Sequence, residues 1–111
     1  MRMEQTELPG AIVKVKLTGP LDINGAGEID MPFGVIAGKY KKVIVDLTNV
    51  PFLASTGIRV FMKAARALEI RGGRLVVFNP TDDARKVLRS TGVDEVIGVV
   101  GDEAAAIAAC G

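Results

Sequence analysis

At 111 residues and 11.7 kDa, with 49% apolar residues and a mean hydropathy of +0.32, the chain has the size and composition of one folded domain, not of a disordered segment. Histidine is absent and the single cysteine is Cys110. That excludes Ser-His-Asp and Cys-His nucleophile pairs, histidine proton shuttles, an internal disulfide and most mixed-ligand zinc sites. The net charge of +1 hides an uneven spread, with eight basic residues between 59 and 90 and only acidic ones beyond 91. With few aromatic side chains to stack on bases, that basic segment points to a protein partner and not to direct binding of nucleic acid.

The first residues, MRMEQTELPG, hold no apolar signal core, and no run approaches the roughly 18 apolar residues of a membrane span. One unpaired cysteine suits a reducing compartment. The expectation is a cytoplasmic chain without membrane insertion.

In chain order, Met1–Leu8 reads as the first strand of a hairpin, Pro9-Gly10 as its turn, and Ile12–Leu17 as the second strand. From Val13 onward, apolar and charged residues alternate there with the period of a half-wet sheet. Thr18-Gly19-Pro20 ends that strand. Next come Gly25, Gly27, Gly34 and Gly38, each costing a helix about 1 kcal/mol against alanine, together with Pro32, which is expected not to sit mid-helix but is tolerated in a first turn. The composition predicts an irregular stretch over 23–29 and a short helix near 30–38 capped by Asp30.

Val43–Leu47 is a continuous, largely β-branched run, as in a strand covered on both faces. Beyond Asn49-Val50-Pro51, the residues Ile58, Phe61, Ala65 and Leu68 recur at helical spacing, with Arg59, Lys63 and Arg66 on another face. Gly72-Gly73 stops this helix, and Leu75–Phe78 is a further strand closed by Asn79-Pro80. The following helix has Thr81 as cap, Asp82 and Asp83 in its first turn, Lys86 and Arg89 near its end, and Gly92 as its stop. A last short helix starts at Asp102. The order β-β-α-β-α-β-α-α predicts an α/β fold in a single domain spanning 1–111. Its mixed β-sheet would have an N-terminal hairpin, parallel β-α-β crossovers and helices mainly on one face.

Most motif fragments carry no chemistry. Gly25-Ala26-Gly27 lacks the third glycine of a dinucleotide loop, and Gly38-Lys39-Tyr40 lacks the hydroxyl residue of a phosphate loop. The carboxylate pairs 82–83 and 102–103 sit where helix starts favour negative charge. Cys110 reads as a frayed terminal thiol. No catalytic residue, metal or cofactor is expected. Ser55 and Thr56 differ: two hydroxyls precede an amphipathic helix near the carboxyl ends of strands, where open α/β sheets place their sites. Plain N-capping is the competing account of the pair, and Arg59, one turn on, is either a solvated cation or a partner for an anion at Ser55.

Four segments in order carry a resemblance: Val43–Thr48, Phe52-Leu53-Ala54-Ser55-Thr56-Gly57-Ile58, Gly72–Pro80 and Leu88–Asp94, with Leu17-Thr18-Gly19-Pro20-Leu21-Asp22 ahead of them. Together the chain resembles the STAS domain of bacterial anti-sigma factor antagonists. The resemblance implies a binding switch without turnover of its own. It would capture an anti-sigma factor, often a serine kinase, and free a sigma factor for transcription. In that family the kinase phosphorylates the serine of an Asp-Ser-Ser/Thr-Gly motif, and a PP2C-type phosphatase reverses it. Carried over, the phosphorylated residue is Ser55, with Phe52, Ala54, Ser55, Thr56, Gly57, Arg59 and Lys63 as the partner surface and a monomer as the expected state. Two residues depart from the pattern. Ala54 replaces the aspartate, and Arg59 replaces a residue that is usually small. The loss of the aspartate keeps an alternative open: an unphosphorylated scaffold subunit of a lipid-transport ATPase or a stressosome-like assembly.

Overall fold

The computed structural model describes residues 1–110. A hairpin opens the chain, with β1 (Arg2–Leu8) antiparallel to β2 (Ile12–Thr18). Its connection turns tightly because Gly10 and Ala11 both take positive φ, at 87° and 60°. There follow α1 (Ile23–Lys39), β3 (Lys42–Asn49), α2 (Ser55–Ile70), β4 (Arg74–Phe78), α3 (Asp82–Ser90), a 3-10 turn at Val93–Glu95, β5 (Gly98–Val100) and α4 (Glu103–Cys110). The five strands lie in the order β1-β2-β3-β4-β5, and every pairing after the first is parallel.

Strand alternation divides the core. Val13, Val15, Leu17, Val43, Val45, Leu47, Leu75 and Val77 face α1, α2 and α3, while Ile12, Ile44, Val76 and Phe78 face α4. The expected mixed sheet, with helices mainly on one face, is therefore present. Between α1 and α2 the rings of Phe33 and Phe61 meet at 5.8 Å and 50°, a tilted geometry that aromatic pairs favour. On the other face, Asp102 caps α4 by accepting from the Ala105 amide (2.8 Å), and Lys14 pairs with Glu103 at 2.7 Å.

Several expectations are corrected. Residues 23–29 are helical, so α1 runs 17 residues with Pro32 in its interior and not in a first turn, and its cap is Asp22, which accepts from the Gly25 amide at 2.8 Å. Asp30 is not a cap; it lies mid-helix and pairs with Lys63 at 2.7 Å. The physical reason is burial. Ile29, Phe33 and Ile36 are enclosed, each such side chain contributing about 1.5–3 kcal/mol, which outweighs weak local propensity. Gly25 is itself required, since a Cβ there would stand 2.6 Å from the Pro20 carbonyl oxygen. The sheet also has a further strand, β5, whose three residues are too few to show a period. Finally, Cys110 is not frayed. It is 9% exposed and packs with Ile12, Ile44, Val76, Phe78 and Ala106.

Other local signals hold. The Thr81 hydroxyl accepts from the Ala84 amide at 3.2 Å, Asp82 and Asp83 fill the first turn of α3, and Gly92 follows it with φ 75°. Ser90 and Thr91 end that helix, both donating to the Val87 carbonyl (3.3 and 2.7 Å). Among the described residues, no helix is long and apolar enough to cross a membrane.

Candidate functional site

The connection from β3 to α2 is pinned from below. Leu21 and Leu53 form an isolated parallel bridge: the Leu21 amide donates to Phe52 O (2.8 Å) and the Ala54 amide to Leu21 O (2.9 Å). Both leucine side chains are buried. Gly57 completes the clamp, because a Cβ there would come within 2.6 Å of Leu21 Cγ and 3.1 Å of Leu53 Cδ1. The first turn of α2 thus rests on the leucine pair with no room for a side chain. A second tie comes from α3, where the Thr81 hydroxyl donates to Val50 O at 3.3 Å.

On this base the chain alternates inward and outward. Phe52 is 52% exposed, Leu53 is buried, Ala54 is half-buried and Ser55 is exposed. Ser55 is the first residue of α2, and the cap position is Ala54. Capping therefore does not account for the hydroxyl pair: no side chain caps this helix, and the amides of its first turn lack a side-chain acceptor. Thr56 turns inward, its Oγ1 buried without a hydrogen-bond partner. Of the two hydroxyls, only that of Ser55 is presented to an approaching protein.

Beyond Ser55 a shallow groove of about 510 Å³ runs along α2, lined by Ser55, Ile58, Arg59, Met62, Lys63 and Arg66. Arg59 and Lys63, read from the sequence as site residues, are exposed beside Ser55 as their one- and two-turn spacing requires. Phe52, Ser55, Arg59 and Lys63 are exposed and Ala54 is half-buried, whereas Gly57 is buried; of these, Ser55, Arg59 and Lys63 share the groove. Met62 and Arg66 were not read as part of this site, although their positions seven and eleven residues beyond Ser55 signal the same helix face. The role of Leu21, distant in sequence, has no local signal at all.

The STAS domain family matches this chain over residues 3–106. An anti-sigma-B factor antagonist of Listeria monocytogenes is 31% identical over 99 residues, covering 78% of this chain and 84% of that protein. An anti-sigma factor antagonist from Mycobacterium paratuberculosis superposes with a TM-score of 0.84 at 22% identity, over 98% of this chain and 94% of that one. SpoIIAA, the Bacillus cell fate determinant, solved in its phosphorylated form, superposes with a TM-score of 0.74 at 23% identity, over 96% and 97%. With a pinned loop that lifts one serine clear of a mixed sheet, and with this match over nearly its whole length, the chain belongs to the STAS domain family.

Proposed function

We propose that this chain is an anti-sigma factor antagonist whose binding surface is the Ser55 end of α2, and that phosphorylation of Ser55 switches it off. The observation that carries the reading is the exposed Ser55 side chain at the first position of a helix, on a loop held by buried leucines. It is supported by the antagonist relative of Listeria monocytogenes and by the phosphorylated state in which SpoIIAA was solved.

The physics of such a switch follows from position. A phosphate adds about −1.5 to −2 charges. At Ser55 it would meet the uncapped amides of the α2 first turn and the Arg59 side chain one turn on, so the fold loses nothing by carrying it. Within a docked interface the same charge must be desolvated, and any partner carboxylate nearby is repelled. The domain stays folded while the complex falls apart. The chain acts by occupying its partner, without turnover of its own. The partner is an anti-sigma factor with serine kinase activity, and a PP2C-type phosphatase resets the switch in the cytoplasm. Arg59 then has the role of a phosphate partner, and Ala54 marks a kinase that recognises the loop without the aspartate.

The test is incubation with the cognate kinase and ATP followed by peptide mass spectrometry, alongside binding measurements on Ser55→Ala and Ser55→Asp. Phosphate on Ser55, with binding kept by Ser55→Ala and lost in Ser55→Asp, is the expected result. Phosphate found only elsewhere, or equal binding by both variants, refutes the switch and favours the unphosphorylated scaffold.

A further inference from the structure

Three cations line the outer face of α2, and they are not equivalent. Lys63 is neutralised by Asp30 at 2.7 Å, whereas Arg59 and Arg66 form no ion pair among the described residues. Seven residues separate the two arginines, about 10 Å along the axis and nearly in line, since seven residues fall about 20° short of two full turns. Met62 stands between them, and Ser55 lies one turn before Arg59 on the same groove. The groove therefore reads cation, thioether, cation, with the switch hydroxyl at its end.

We propose that the partner segment seated on this groove is acidic, with two carboxylates about two helical turns apart, one on Arg59 and one on Arg66, and an apolar side chain between them on Met62. The proposal rests on the reading of the Ser55 end as the docking surface and names the chemistry of what docks there. Guanidinium groups favour this occupant because each can hold a carboxylate through two parallel hydrogen bonds. A nucleic acid backbone would leave the thioether between the cations unused. The arrangement also gives the switch its leverage. A phosphate on Ser55 would engage Arg59 within the same chain, taking one of the two cations from the partner and placing negative charge against its carboxylate.

The experiment is isothermal titration calorimetry of the purified cognate anti-sigma factor with wild type, Arg66→Glu, Arg59→Ala, Ser55→Asp and Lys86→Glu, at about 50 mM and about 300 mM salt. Lys86→Glu makes the same charge change on α3, outside the groove, and each variant's fold is checked by circular dichroism. Expected are binding weakened about tenfold or more by Arg66→Glu, a smaller loss for Arg59→Ala, no change for Lys86→Glu, and wild-type affinity that falls with salt. If Ser55→Asp abolishes binding while folded Arg66→Glu binds like wild type, the acidic segment is refuted and the switch stands. If Lys86→Glu weakens binding as much as Arg66→Glu, the attraction is a net-charge effect and the two-point groove is refuted. Failure of the wild-type chain to bind the anti-sigma factor removes both readings together.

Discussion

Ala54 offers a direct measurement of how the switch loop is built. Its backbone is already in the extended conformation of a cap residue, at φ −89° and ψ 165°, yet it has no side chain to accept from the first turn. The substitution Ala54→Asp would place a carboxylate within reach of those amides at a half-buried position, without moving the chain. Restoring a cap contributes about 1 kcal/mol, and the favourable dipole lies within the same range. For 111 residues the unfolding entropy is about 0.23 kcal/mol per kelvin, so the expected rise in Tm is about 4 °C. Differential scanning calorimetry reads this, and Ala54→Asn separates capping from charge because it caps without a net charge. A Tm for Ala54→Asp equal to or below that of the wild type would refute the uncapped first turn. The same argument applies to phosphate: on the wild-type loop it should cost no stability, whereas on the Ala54→Asp background it meets a carboxylate and the cap's gain disappears.

Two further predictions test the packing. Gly57→Ala forces a methyl group into Leu21 and Leu53 and should cost about 1–3 kcal/mol in urea unfolding. Gly27→Ala, exposed on α1 with nothing within 4 Å of an added Cβ, should instead stabilise by about 0.5–1 kcal/mol; the opposite order of the two variants would refute the close approach at Gly57. For Cys110, burial pushes the thiol up from its usual pKa, and the nearby Arg74 and Lys42 offset this only in part. The folded chain then binds this proton more tightly than the unfolded chain. The Cys110 contribution to stability is complete below the unfolded thiol pKa of about 8.5 and is lost as pH rises through the higher folded value. Wild type should lose more stability than Cys110→Ala between neutral pH and that alkaline range, and parallel pH profiles would refute the buried thiol.

Patterns that repeat along the chain were legible before any coordinates. Alternation in Ile12–Leu17, the apolar runs 43–47 and 75–78, and the helical spacing from Ile58 to Leu68 each reflect which face must leave water. That preference is written in consecutive residues, and so is the punctuation of α3 by Thr81, Asp82, Asp83 and Gly92. From these the α/β class follows, whereas the assignment of Ser55 comes from the family resemblance carried by the segments around it. What the tertiary structure alone decided involves atoms from distant parts of the chain. The start of α1 depends on the Pro20 carbonyl over Gly25 and on the burial of Ile29, Phe33 and Ile36, which local helix propensity does not register. The three residues of β5 become a strand only because β4 offers an open edge. Likewise, Ser55 stands exposed and Thr56 turns inward because Leu21, more than thirty residues earlier, bonds to the loop and admits nothing larger than Gly57 beneath it. A chain records its own periodicity, whereas the distance between two segments exists only once both have folded.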